Sequence, residues 1–110
     1  MKTYSVRLTR QANEQIGEYA EYIQNKLLNP QAARKFVSDI KTAVKNLSQM
    51  PQRNPLTPEE PWHSMGVHRI CIRGYFIYYW IEEDSDNVHV IGVVYEKRDQ
   101  FMQLLGIDFE

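Results

Sequence analysis

Most side chains able to do chemistry fall in the C-terminal half of the sequence. Four cations, Arg69, Arg73, Lys97 and Arg98, flank apolar runs that read as neighbouring strands. Brought together they would form a basic patch for a phosphate. Held apart they are solvated edge charges, which discourage sheet-to-sheet aggregation. Three histidines, His63, His68 and His89, raise the question of a metal. They fall on a loop and two different strands, without helical i, i+4 pairing and without a cysteine pair. Zinc wants three or four ligands in a closed arrangement, so no metal and no cofactor is expected. Histidines at such positions read as surface or half-buried side chains. His68 is of the right type for a general base near neutral pH, but nothing in the sequence orients it. Tyr75, Phe76, Tyr78, Tyr79 and Trp80 form a dense aromatic run. Such a run could stack bases or fill a core.

These residues need elements to position them. Tyr4, Val6 and Leu8 alternate with Thr3, Ser5 and Arg7, which is the period of a half-buried strand. Thr9 is placed to cap a helix. Ala12, Ile16, Tyr19, Ala20, Ile23 and Leu27 recur at helical spacing, predicting a first helix from about Arg10 to about Leu28. Gly17 within it is tolerable if another backbone passes close. Asn29-Pro30 marks a new helix start, since Asn caps and Pro suits the first helical position. Ala33, Phe36, Val37, Ile40, Ala43, Val44, Leu47 and Met50 then form an apolar stripe that Pro51 stops. With almost no linker, the two helices must fold back as a hairpin.

Four of the five prolines fall between Pro51 and Pro61, an extended loop whose far end Trp62 pins to the core. Strands follow at Val67–Arg73, Tyr75–Glu82 and Val88–Tyr95, with turns at Gly74 and at Asp84–Asn87. The last strand is apolar at nearly every position, so it sits centrally with both faces covered. A short helix fits Gln100–Leu105. The order β-α-α-β-β-β predicts a two-layer α+β domain, with the helix hairpin on a mostly antiparallel four-stranded sheet. On the third strand Tyr75, Ile77 and Tyr79 share one face, and Phe76, Tyr78 and Trp80 share the other. One face meets the helices; the other is expected to be an exposed aromatic surface, which usually marks a partner.

The chain has 110 residues, 43% hydrophobic and 25% charged, which suits one globular domain and not a disordered chain. A single cysteine, Cys71, allows no internal disulfide, as in a reducing cytosol. No stretch is apolar enough to span a bilayer or to serve as a signal peptide, so a cytoplasmic location is expected. The net charge of −1 lacks the strong positive balance of a general nucleic-acid binder.

Five segments, YSVRLTRQA, EYIQNKLLNPQAARKF, LSQMP, GVHRICIRGYFIYYWIEED and VIGVVYEKRD, resemble in order and spacing the RelE/ParE superfamily of bacterial toxins. The resemblance runs from about Tyr4 to about Asp99. It implies the toxin half of a type II toxin–antitoxin pair, whose partner is an antitoxin with a tail that folds over the toxin. The superfamily divides by mechanism. RelE-like members cut messenger RNA in the ribosome, whereas ParE-like members block DNA gyrase without a hydrolytic centre. Cleavage by 2′-hydroxyl attack needs a base, an acid and cations for the phosphorane. Arg69 matches one basic position of the nucleases, and for it the patch and edge-charge readings are even. Arg73 reads better as an edge charge. Cys71 and Phe76 stand where two further cations would be. Lys97 and Arg98 fall one or two residues from another, and Phe101 and Met102 lie near the place of a late tyrosine. The ParE-like mode is therefore expected, with Arg69, Lys97 and Arg98 as the catalytic group if the chain is a nuclease after all. A third possibility is a degenerate toxin that only binds its antitoxin. Tyr22, Arg73 and Tyr95 are the expected partner-binding residues.

Overall fold

A computed structural model describes residues 2–98 and 100–107. The chain runs β1 (Ser5–Leu8), α1 (Arg10–Asn25), α2 (Pro30–Asn46), β2 (His68–Ile72), β3 (Tyr75–Glu82), β4 (Asn87–Tyr95) and α3 (Gln100–Leu105). The two-layer α+β architecture is as expected. The strands lie in the order β1-β4-β3-β2, with β1 parallel to β4 and the other two pairings antiparallel.

The local signals work as their chemistry predicts. Thr9 Oγ1 accepts the Ala12 N–H at 3.1 Å and opens α1. Asn29 Oδ1 accepts the Ala32 N–H at 3.0 Å, with Pro30 at the first turn of α2. The apolar stripes of both helices pack with Ile77 and Tyr79 of β3 and Val88, Val90 and Val93 of β4 into one core.

Three helix details differ from the expectation. α1 stops at Asn25, not Leu28, because the chain turns through a left-handed Leu28 (φ 53°) to reach the cap of α2. Leu27 therefore leaves the apolar stripe and is exposed. Met50 likewise leaves the stripe of α2, since it takes the left-handed conformation (φ 46°) ahead of Pro51. Gly17 has no close neighbour, so no backbone approach accounts for it.

The far face of the sheet corrects the expected exposed aromatic surface. Tyr78 is fully buried there, in a second core with Trp62, Val67, Ile91, Val94, Leu104 and Ile107; Phe76 and Trp80 pack beside it. The proline-rich loop and α3 supply the cover. A bulge makes this core possible: Tyr78 faces Gly92 while Tyr79 faces Val90, leaving Ile91 as the extra residue. Gly92 lets α3 approach closely: a Cβ there would stand 2.5 Å from Ile107 Cδ1, so the Ile107 side chain would have to shift.

Candidate functional site

β1 is short, and that shapes the molecule around α1. Its register with β4 ends at Leu8 opposite Val90, so β4 continues without a strand on that side. α1 fills the gap with side chains one turn apart. Gln15 Oε1 accepts the Val93 N–H at 2.8 Å, and the Tyr19 hydroxyl accepts the Tyr95 N–H at 3.0 Å. Gln11 donates to the Gly106 carbonyl at 2.8 Å and ties down the end of α3.

The Tyr19 ring meets Tyr75 edge-on at 5.0 Å, and Tyr75 touches Phe36 at 4.6 Å and Tyr95 at 5.3 Å. Beside this cluster opens a cavity of about 670 Å³, lined by Tyr19, Tyr22, Leu27, Tyr75, Tyr95 and Arg98 among others. Tyr22 is 55% exposed and Tyr95 37%. Burial raises the pKa of the Tyr75 hydroxyl, with Tyr19 and Tyr95 adding to the effect. Arg98 holds its guanidinium 5.9 Å from the Tyr19 ring centre. The groove thus offers aromatic faces, hydroxyls, a cation at Arg98 and a carboxylate at Glu18, a chemistry suited to a protein partner.

Arg73 does not join this groove. It forms the β2–β3 turn with Gly74 (φ 54° and 83°), as a two-residue hairpin requires. Its Nε reaches Asp39 Oδ2 on α2 at 2.8 Å, so it ties the sheet to the helix layer.

Arg69 lies on the opposite face of the sheet from the helices. Its guanidinium covers the Phe76 ring at 4.0 Å and pairs with Glu59 of the proline-rich loop at 3.7 Å. The Thr57 hydroxyl donates to the same Glu59 carboxylate. Burial pushes the Tyr78 hydroxyl up to about 12; Glu59 adds to that shift and Arg69 opposes it. Lys97 stands exposed in the turn after β4. The three residues considered for catalysis are therefore split: Arg69 is neutralised on one face, and Arg98 sits beside α1 on the other. Cys71 donates to Glu96 Oε2 at 3.8 Å. The side chain of Phe101 lies outside the described residues, and Met102 is exposed.

Each histidine has its own partner. His63 Nδ1 meets the Thr57 carbonyl at 3.0 Å. His68 Nδ1 meets the Asn54 carbonyl at 2.7 Å while its ring stacks on Tyr79. An accepting carbonyl puts the proton on Nδ1. His89 Nε2 lies 2.7 Å from Glu82 and its ring stacks on Trp80 at 4.4 Å. Among the described residues no group of three or more His, Cys, Asp or Glu could hold a metal ion.

Sequence reasoning missed Glu59, Gln15 and the Tyr19 hydroxyl. Glu59 gave no signal, because its loop has no period. Gln15 gave a faint one: it interrupts the apolar side of α1 four residues before Tyr19.

The family described as the ParE toxin of the type II toxin–antitoxin system parDE matches residues 6–100. No curated protein sequence is a significant match. Among solved structures, the fold is similar to the chromosomal ParDE TA system from P. aeruginosa, with TM-score 0.69 and 21% identity over 84% of this chain and 96% of that one. It is also similar to the toxin–antitoxin complex RelBE2 from Mycobacterium tuberculosis, with TM-score 0.60 and 22% identity over 86% and 93%. A mutant of the E. coli toxin RelE in the free state gives TM-score 0.60 and 13% identity over 92% of each chain. At such identities the structures establish the fold. The family match covers most of the chain and carries more: this protein belongs to the ParE toxin family of type II toxin–antitoxin systems.

Proposed function

We propose that this chain arrests bacterial growth by binding DNA gyrase, without hydrolysis of its own, and that a co-encoded antitoxin neutralises it. The observation that carries the choice is the state of Arg69. A cation that stabilises a phosphorane must face the phosphate with its charge available. Arg69 is instead paired with Glu59 and laid over Phe76, under a loop that covers that face of the sheet. Arg98 points into a different surface, so the cations do not converge.

The antitoxin is assigned to the groove beside α1, with Tyr22 and Tyr95 as exposed contacts. Arg73 supports the binding face from outside the groove, through its ion pair with Asp39 of α2.

Induction of the chain alone in a bacterial host tests the target. A gyrase poison produces DNA-damage signalling and altered supercoiling while messages stay intact. Cleavage within translated messages, lost on Arg69→Ala, would overturn the choice and make Arg69, Lys97 and Arg98 the catalytic group. Unimpaired growth would leave a module that only binds its antitoxin.

A further inference from the structure

The net charge of −1 hides an uneven distribution. α2 carries four cations, Arg34, Lys35, Lys41 and Lys45, and one carboxylate, Asp39. That carboxylate is already engaged: its Oδ2 meets Arg73 Nε at 2.8 Å and Lys35 Nζ at 3.9 Å. Arg34, Lys41 and Lys45 form no ion pair with an acidic side chain among the described residues. Cations elsewhere in the chain have such partners, as Lys2 has Asp86 and Arg69 has Glu59.

The three unpaired cations share one side of the helix. At 3.6 residues per turn, Arg34, Ser38, Lys41 and Lys45 fall within an arc of about 60°. All four are exposed. The side of α2 that carries Ala33, Phe36, Ile40, Ala43 and Val44 is buried in the main core, which holds the row outward. With a rise of 1.5 Å per residue, the row from Arg34 to Lys45 is about 16 Å long. It is straight, it is basic, and it has a hydroxyl within it and no apolar side chain.

We propose that the outward row of α2 binds the phosphate backbone of duplex DNA without reading its sequence. A duplex carries one negative charge per about 1.7 Å of its axis, so a row of this length faces several phosphates at once. Arginine, lysine and serine are the side chains that phosphate oxygens accept from. A protein partner fits the row less well, because interface cores are rich in aromatic residues and depleted of lysine. Single strands are held by bases stacked on aromatic faces. The aromatic run of β3 offers no such platform: Tyr78 and Tyr79 are fully buried and Phe76 lies under Arg69. Among duplexes, the B-form major groove is about 12 Å wide and lets a helix approach its phosphate edges, whereas the A-form groove of RNA is deep and narrow. The inference goes beyond the gyrase reading and does not depend on it.

The test titrates the full chain into a labelled 20-base-pair DNA duplex of scrambled sequence at low salt and follows fluorescence anisotropy. Micromolar binding is expected, unchanged for a second scrambled sequence. Three phosphate contacts predict a slope of about −2.7 for log affinity against log salt. Arg34→Gln, Lys41→Gln and Lys45→Gln combined is expected to weaken binding by about tenfold or more and to flatten the slope. The three side chains are exposed, so thermal unfolding of that variant is expected to match the parent. Lys2→Gln, which removes a cation outside the row, is expected to leave binding within about twofold. Absence of binding, full binding by the triple variant, or an affinity for the single strand or for an RNA duplex of the same sequence that equals that for DNA would overturn the proposal.

Discussion

Tyr78 shows how burial and charge act on one side chain. It is buried in the second core, and its hydroxyl is shifted up to about 12, first by desolvation and then by Glu59. A raised folded-state pKa contributes stability below the unfolded value, near 10, and that contribution is lost as pH rises through the folded value. Stability is therefore expected to fall between pH 10 and 12, and less steeply in Tyr78→Phe. Urea unfolding at pH 9 and pH 11 checks this, and equal slopes in both proteins would refute it. Arg69 next to it illustrates a related point. The surroundings of a cation decide what its charge can reach, and here a loop carboxylate, Glu59, pairs with it.

At the scale of the element, α1 does two jobs with two sides. Its apolar stripe enters the main core, while Gln15 and Tyr19 serve β4 as a partial substitute for a neighbouring strand. Gln15→Leu keeps the size but leaves the Val93 N–H without its acceptor. Val93 is fully buried, so the expected cost is about 1–3 kcal/mol. Chemical unfolding would read the loss, and faster exchange of the Val93 amide would locate it. A variant as stable as the parent would show that water replaces the glutamine.

For the molecule as a whole, the far face carries a small second core. α3 reaches it through Leu104 and Ile107, and the bulge in β4 turns Ile91 toward it. The fit at Gly92 links the two. Gly92→Ala is expected to push Ile107 aside at a cost of about 1–3 kcal/mol. The same change in an Ile107→Ala background is expected to cost much less, since the partner atom is gone. A double-mutant cycle on thermal or urea unfolding gives the coupling. Additive effects would place the strain elsewhere. Gly92→Ala alone is also expected to speed exchange across α3 more than across α2.

The sequence by itself determined the elements and their order. Hydrophobic period, the Thr9 and Asn29 caps and the turn residues act within a few positions of one another, so they are readable along the chain. They gave both helices, all four strands, the helix hairpin and the central place of β4. What tertiary structure decided was everything that depends on residues far apart. Glu59 meets Arg69 across a loop without a period, α1 stops early because Leu28 must turn toward Asn29, and Met50 turns out of its stripe ahead of Pro51. The far face is covered because the loop and α3 both fold over it, which no local pattern in β3 reports. The cations are legible as residues, but whether they share one surface is a property of the packed sheet. Its two faces separate Arg69 from Arg98.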